Sequence, residues 1–144
     1  MNGLIDLLFL IPKFVIQLIT HESPVINGDG TVSRDFTYIE NVIQMNHLAL
    51  TTENSLALGQ VFNTAVGERN DLNQLCIYLK KYLSVYDTKI ADIEIMYGPT
   101  RKGEIAHSLA CIDKAKNLLG YKPTHNFSEG LKEAVNWYWI NLKK

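Results

Sequence analysis

Two arginines and a glutamate have side chains and neighbours suited to holding a phosphorylated ligand. Arg34 follows closely on the turn-forming sequence Asn27-Gly28-Asp29-Gly30, and Arg101 precedes Glu104 by three residues in a charged loop. A guanidinium fork binds two phosphate oxygens at once, which a lysine ammonium does not do. In the loop, a cation beside a hydrogen-bond acceptor suits neighbouring parts of one ligand, such as a diphosphate and the hydroxyls of a ribose.

The same residues also have a simpler, structural interpretation. Arg34 could form a structural ion pair with Asp35 or Glu40. Arg101 and Glu104 could form an exposed local pair that contributes well under ~1 kcal/mol. From the residue types alone, both interpretations stay open.

The sequence contains no complete catalytic motif, so we expect no catalytic residues in this chain. Gly28-x-Gly30 begins a dinucleotide-binding pattern, but Ser33 stands where its third glycine belongs. None of the seven tyrosines is followed four residues later by lysine, so the Tyr-x-x-x-Lys pair that promotes proton transfer is absent. His107 has no nucleophile near it in sequence, which favours a structural or indirect supporting role for its ring.

The composition is that of one ordinary domain, or part of one, with a net charge near zero. The 144 residues carry 14 Lys and Arg against 15 Asp and Glu, so no basic field favours nucleic acid. Cys76 and Cys111 lie far apart, with no Cys-x-x-Cys or paired histidines to predict a metal site. We expect them to be reduced, packed thiols in a cytoplasmic protein.

The apolar stretch from Leu4 to Ile11 could be mistaken for a signal peptide or a membrane span. No Lys or Arg precedes it, Asp6 interrupts it, and Pro12 ends it short of the ~20 residues that a span needs. We therefore expect a buried element and no association with membranes.

The periodicity of apolar residues predicts an α/β chain of helices and short strands. Strands are expected at 24–27, 61–66 and 93–97, with a turn at 27–30. Helices are expected at about 12–20, 39–53, from Asn70 or Asp71 onwards, and 112–119, which ends at Gly120. Ser128 is expected to cap a last helix that carries Leu131, Val135 and Tyr138. The third helix has the clearest apolar stripe: Leu72, Leu75, Cys76, Leu79 and Leu83.

Three stretches together resemble the nucleotide-sugar epimerases and dehydratases of the extended short-chain dehydrogenase/reductase superfamily. They are Ile26-Asn27-Gly28-Asp29-Gly30-x-x-Ser33-Arg34-Asp35-Phe36-x-Tyr38-Ile39-Glu40-Asn41, Arg101-x-Gly103-Glu104-Ile105-x-His107-Ser108, and Leu118-Leu119-Gly120-Tyr121-x-Pro123. The loop Val66-Gly67-Glu68-Arg69-x-x-Leu72-Asn73, with His107-Ser108, is most similar to UDP-N-acetylglucosamine 4-epimerases. The resemblance runs from about Ile11 to the C-terminus.

This resemblance implies a fragment, with residues 1–144 forming a single nucleotide-sugar-binding region. The family's Rossmann half, with its glycine turn and Tyr-x-x-x-Lys, would lie upstream, in cis or as a separate chain. The parent enzyme would be an NAD-dependent 4-epimerase of a UDP-hexose or UDP-N-acetylhexosamine, working in surface polysaccharide biosynthesis and forming a homodimer. NAD would be bound by the missing half, so neither a cofactor nor catalysis is expected for this chain alone.

The resemblance also implies roles for six residues. Arg34 and Arg101 would hold the pyrophosphate, and Glu104 would hold the ribose, although the family has Asp more often at that position. The remaining three would lie near the nucleoside: Asn27, Val25 and Phe14. On residue type alone, Asn27 is more often a turn residue than a binding one, and Phe14 on a helical stripe is more often core than a ligand contact.

Three alternatives stay open at this stage. The parent enzyme could be a related nucleotide-sugar dehydratase or decarboxylase, since the residues that choose the reaction would lie mostly upstream. The chain could also be a non-catalytic nucleotide-sugar-binding module. Finally, it could be an inactive truncated product, in which case an exposed apolar face would promote aggregation.

Overall fold

The computed structural model describes residues 10–100, 103 and 105–142, and these fold as two compact units. Unit 1 comprises the described parts of Met1–Val32, Asp71–Ala106 and Leu131–Lys144; unit 2 comprises Ser33–Asn70 and His107–Gly130. Neither unit is a single continuous stretch of sequence.

Five helices and four short strands make up the described fold. The helices are α1 (Leu10–Ile19), α2 (Ile39–Thr51), α3 (Leu72–Leu83), α4 (Asp113–Leu119) and α5 (Phe127–Leu142). The strands are β1 (Val25–Asn27), β2 (Ser33–Arg34), β3 (Asn70–Asp71) and β4 (Met96–Gly98), and two 3-10 turns cover Ser55–Ala57 and Thr88–Asp92. The α/β class expected from the sequence is confirmed.

Unit 1 is built on apolar helix packing. The stripe predicted for α3 is buried at all five positions, and α1 packs against this helix through Phe14, Val15 and Leu18. Burying one such side chain contributes about 1.5–3 kcal/mol, so the buried side chains of α1 and α3 contribute substantially to the stability of this unit. Beside it, β1 and β4 form a parallel pair in which Val25, Ile26 and Asn27 lie opposite Met96, Tyr97 and Gly98.

The start of α3 is fixed by a capping box. The Asp71 carboxylate accepts the Gln74 N–H at 2.7 Å, and the Gln74 side-chain oxygen accepts the Asp71 N–H at 3.2 Å. These bonds satisfy two N–H groups that the first helical turn leaves unpaired. Of the two caps that the sequence allowed, the chain uses Asp71.

Unit 2 has a smaller core and many irregular segments. Its buried cluster is made by Met45, Ala57, Ala65, Ile112, Ala115, Leu119 and Tyr121. Helix α4 ends at Gly120, whose φ of 66° and ψ of 23° are the left-handed cap expected from the sequence.

The strand predicted at residues 61–66 is wrong. This segment forms no ladder, because side chains take its main-chain groups instead: the Tyr121 hydroxyl donates to the Ala65 carbonyl at 2.9 Å, and the Val66 N–H donates to Asp35. Propensity favoured a strand, but no neighbouring strand is available to pair with these residues.

Other boundaries also differ from the sequence-based prediction. Helix α1 begins at Leu10, so Pro12 lies inside its first turn, where an N–H has no helical partner. Helix α5 begins at Phe127, and its cap is Asn126, which exchanges hydrogen bonds of 2.9 Å with Glu129; the predicted cap, Ser128, lies inside the helix. Within the described ranges, no helix combines the length and apolar character needed to cross a bilayer.

Candidate functional site

Arg34 lies on β2 in unit 2, on a strand only two residues long. Its side chain is half-buried, and its Nη1 donates a hydrogen bond of 2.7 Å to the carbonyl of Ser33. Ser33 itself is buried, with 6% of its surface exposed. The guanidinium is therefore tied to a buried piece of main chain beside it.

Asp35, the residue after Arg34, is anchored separately. Its two carboxylate oxygens accept the N–H groups of Val66 and Gly67 at 3.0 and 2.9 Å. Glu40, the other acid considered as a partner for Arg34, lies 3.9 Å from His125 Nδ1. The Asp35 carboxylate thus fixes the loop at Val66 and Gly67.

Ser33, the residue before Arg34, is held by His107 and Ser108. Its Oγ lies 2.9 Å from His107 Nδ1, its carbonyl accepts the Ser108 N–H at 3.1 Å, and residues 33 and 107 form a parallel β-bridge. These contacts agree with the structural role that the sequence favoured for His107.

Val25 and Asn27 are brought together on β1 in unit 1. Val25 is exposed and Asn27 is half-buried at the entrance to the turn. Gly28 continues the pairing by donating its N–H to the Gly98 carbonyl at 3.0 Å. Two of the three residues predicted near a nucleoside therefore belong to the same short strand.

The turn after β1 is held by its own side chains and by α3. Asp29 Oδ1 accepts from the hydroxyl and N–H of Thr31 at 2.7 and 3.0 Å, and the hydroxyl bond is the larger cause of the lowered pKa of Asp29. Asn73 Nδ2 donates to the Asp29 carbonyl at 3.0 Å, and the Tyr97 hydroxyl donates to Asn73 Oδ1 at 2.9 Å.

Phe14 differs from the other predicted residues. Its side chain has no exposed surface and lies in the core of unit 1, where it contributes to helix packing. This is the core interpretation that its residue type allowed. Arg101 and Glu104 lie outside the described residues, so their roles stay predictions.

The two cysteines are in different environments. Cys76 is buried in α3, and burial raises the pKa of its thiol from 9.0 to about 12, with Lys80 opposing part of the shift. Cys111 is exposed, with Sγ 3.5 Å from Asp113 Oδ2, so the prediction that both thiols are packed is wrong for this one. The helix that follows it is capped at Ile112, one residue later, without a side-chain hydrogen bond.

Sequence reasoning missed the residues that hold these elements in place. Asp35 and Asn73 lie inside the motifs that carry the family resemblance, and their place in those motifs could have marked them as important. Tyr97 gave no signal, because a tyrosine in a short strand is unremarkable. In the part of the chain that the structure describes, no three His, Cys, Asp or Glu side chains form a group able to hold a metal ion.

The architecture is that of the C-terminal part of extended short-chain dehydrogenase/reductases. A solved UDP-glucose 4-epimerase from Thermotoga maritima, with UDP-glucose, superposes with a TM-score of 0.80 at 31% identity, covering 93% of this chain and 40% of that one. A UDP-N-acetylglucosamine 4-epimerase from Methanobrevibacter ruminantium, in complex with UDP-N-acetylmuramic acid, gives 0.77 at 34% identity over 90% and 39%.

A third structure, the UDP-glucuronic acid 4-epimerase of Bacillus cereus with UDP-glucuronic acid and NAD, gives a TM-score of 0.76 at 27% identity, covering 90% of this chain and 39% of that one. The family model described as GDP-mannose 4,6 dehydratase matches residues 8–134. The chain belongs to this family. It spans 38% and 37% of the lengths of two curated relatives that it matches.

Proposed function

We propose that this chain is the nucleotide-sugar-binding portion of an NAD-dependent UDP-N-acetylglucosamine or UDP-glucose 4-epimerase that makes surface polysaccharide sugars. The observation that carries the proposal is Arg34, a half-buried guanidinium whose two neighbours are each anchored by other segments. A fork held in this way can bind a diphosphate with little loss of side-chain freedom. The UDP sugars in the similar structures favour a UDP-linked ligand.

In this proposal, the other residues complete the nucleotide contacts. Arg101 is proposed to bind the diphosphate, and Glu104 is proposed to accept hydrogen bonds from the ribose. Asn27 and Val25 contact the nucleoside, for which the half-buried amide and the exposed isopropyl group on β1 are suited. Phe14 is left out of the contacts because its ring is enclosed by the core.

NAD does not fit the described residues of this chain. The only turn that begins a dinucleotide pattern, Gly28-x-Gly30, is filled by side chains from its own unit: Asn73 occupies the space beside Gly30, and Thr100 packs beside Gly28. A pyrophosphate needs that space for its close approach to the backbone. We therefore assign this chain binding and orientation of the sugar nucleotide, and no step of the redox chemistry.

A second candidate is a portion of a nucleotide-sugar 4,6-dehydratase. It is favoured by the family model that matches 127 residues, 8–134, and is described by that activity. A UDP-sugar epimerase and a GDP-mannose dehydratase differ in the base of the nucleotide, so a comparison of UDP and GDP ligands separates these two.

Calorimetric titration of the 144-residue chain with UDP, UDP-N-acetylglucosamine, UDP-glucose and GDP-mannose tests the proposal. We expect micromolar binding of the UDP ligands and weaker binding of GDP-mannose. Arg34→Ala should weaken UDP binding at least tenfold, which corresponds to about 1.4 kcal/mol. Arg34→Lys should recover only part of the loss, because the charge is kept while the fork is removed.

Lys122→Ala is the matched control. Lys122 is exposed in the same unit as Arg34, so this variant removes the same charge without touching the candidate site. Its affinity for UDP should equal that of the wild type. Equal losses in Arg34→Ala and Lys122→Ala would indicate a non-specific charge effect and would contradict the role of Arg34.

A further inference from the structure

We propose that His107 is a positioning residue for Arg34, an inference that rests on the proposed binding of a nucleotide diphosphate by that arginine. The chain of contacts has two links. His107 Nδ1 lies 2.9 Å from the Ser33 hydroxyl, and the Ser33 carbonyl accepts from Arg34 Nη1 at 2.7 Å. His107 therefore acts on the guanidinium through the residue between them.

The Ser33 carbonyl is the fixed point of this arrangement. It accepts from Arg34 Nη1 and also from the Ser108 N–H at 3.1 Å, so both of its lone pairs are used. The direction of that carbonyl restrains where the guanidinium fork is held. A rotation of the Ser33 peptide would carry the fork away from its bound direction.

The His107 ring restrains that peptide from the side-chain end. Ser33 is buried, with 6% of its surface exposed, so its hydroxyl has little access to replacement partners in solvent. The parallel bridge between residues 33 and 107 holds the main chains together, and the imidazole ring restrains the Ser33 hydroxyl. Removing the imidazole takes this partner from a buried hydroxyl and leaves the Ser33 peptide to its main-chain bonds, so its orientation is less tightly restrained.

The position of Asp35 explains why this restraint is specific to one side of Arg34. The carboxylate of Asp35 accepts the N–H groups of Val66 and Gly67, so the residue after Arg34 keeps its anchor when His107 is changed. We therefore expect loss of the imidazole to loosen the orientation of the Ser33 peptide while β2 keeps its main-chain bonds. In His107→Ala we therefore expect unit 2 to stay folded while the Arg34 guanidinium is no longer held in its binding orientation.

Titration of His107→Ala with UDP distinguishes positioning from a general structural role. We expect a dissociation constant about fivefold higher with unchanged stoichiometry, because the molecules stay folded but hold Arg34 poorly. A merely structural role would lower the number of binding sites by unfolding some molecules and leave the dissociation constant of the rest unchanged. That second result would overturn the inference.

Three further variants sharpen the test. His107→Asn keeps a polar atom near the position of Nδ1 and should restore most of the affinity. Ser33→Ala should match His107→Ala, and the double variant should lose no more than either single variant, since both remove one contact. His47→Ala removes an exposed histidine of α2 and should leave the affinity unchanged.

A second measurement tests His107 without any ligand. In the nitrogen-15 NMR spectrum, the Arg34 Nε–Hε signal is identified by its loss in Arg34→Lys. This signal should show greater side-chain mobility in His107→Ala than in the wild type, and an unchanged signal would overturn the inference. If the wild type binds no UDP, the proposed function fails while this NMR comparison still decides the positioning role.

Discussion

The two units of this chain are stabilised in different ways. Unit 1 relies on apolar side chains that recur along α1 and α3 and are fully enclosed. Unit 2 adds to a smaller core many hydrogen bonds from side chains to main-chain groups, made by Asp35, Asn41, Asn54, Asn63 and Tyr121. The first kind of stabilisation follows a periodic sequence pattern, and the second kind follows individual residues.

Asn41 shows how far unit 2 depends on single polar residues. It is fully buried, its Nδ2 donates to the His125 carbonyl at 2.8 Å, and its Oδ1 accepts from the N–H groups of Thr124 and His125 at 2.8 and 3.1 Å. One amide therefore joins α2 to a segment more than eighty residues away in sequence. In a loop-rich unit, such an amide bonds main-chain groups that would otherwise be paired by the hydrogen bonds of a β-sheet.

The largest expected effect is in unit 1, for Leu79→Ala. Leu79 has no exposed surface, and such truncations leave a cavity, so we expect the free energy of unfolding to fall by about 4 kcal/mol. Urea unfolding followed by tryptophan fluorescence measures this, because Trp137 and Trp139 both lie in unit 1. Ile77→Ala, on the exposed side of the same helix, should cost about 0.5 kcal/mol, and equal losses would show that α3 is not held by its apolar stripe.

The next effect is in unit 2, for Asn41→Ala. Asn41 is fully buried, and the change removes the amide that bonds the part-buried main-chain groups of Thr124 and His125, so we expect a loss of about 2 kcal/mol. Far-UV circular dichroism during urea unfolding reports it. Asn46→Ala is the control, because the exposed Asn46 amide donates to the Val42 carbonyl of its own helix. If Asn41→Ala costs as little as this control, the bonds of Asn41 to Thr124 and His125 do not stabilise unit 2.

The smallest expected effect concerns Cys76 and alkaline pH. Burial favours the neutral thiol, so its folded pKa of about 12 exceeds its ordinary value of 9.0, and the unfolded chain releases this proton first as the pH rises. The associated stability is complete below about pH 9 and is lost between about pH 9 and 12. Between about pH 8 and 10, we expect the free energy of unfolding to fall by about 1 kcal/mol on this account.

Urea titrations of Cys76→Ala at the same two pH values isolate this effect from that of Tyr121, whose pKa is also raised, chiefly by burial and then by Asp35. The pH dependence of Cys76→Ala should be weaker than that of the wild type. The exposed Cys111 provides the control, since Cys111→Ala should keep the full wild-type dependence. An unchanged dependence in Cys76→Ala would show that this thiol ionises equally in both states.

The sequence was sufficient for those elements whose stability is local or periodic. The stripe of α3 and the left-handed Gly120 cap were predicted, because each depends on spacing or on one backbone conformation, and the cap of α3 was narrowed to Asn70 or Asp71. The strand at residues 61–66 was not, since pairing depends on whether a partner strand lies beside it. Asn126 rather than Ser128 caps α5, and nearby residues with similar capping ability cannot be ranked from type alone.

The candidate site was predictable only through the resemblance. Arg34 could be selected as a phosphate ligand because its flanking residues match a family motif, while its type alone allowed an ion pair. The bonds of Ser33 to His107 and of Asp35 to Val66 span more than thirty residues and follow no periodicity. Phe14 shows the opposite case, since its place in a helical stripe already indicated the core.

The division of the chain into interleaved segments has a consequence for synthesis on the ribosome. Unit 2 is complete once Gly130 has emerged, whereas unit 1 still needs Leu131 and Val135, which are buried in it. The polar, loop-rich unit can therefore form before the helical one closes. A nascent chain stalled between these positions would have an incomplete unit 1, lacking two of its buried apolar side chains, and would be a ready target for chaperones and proteases.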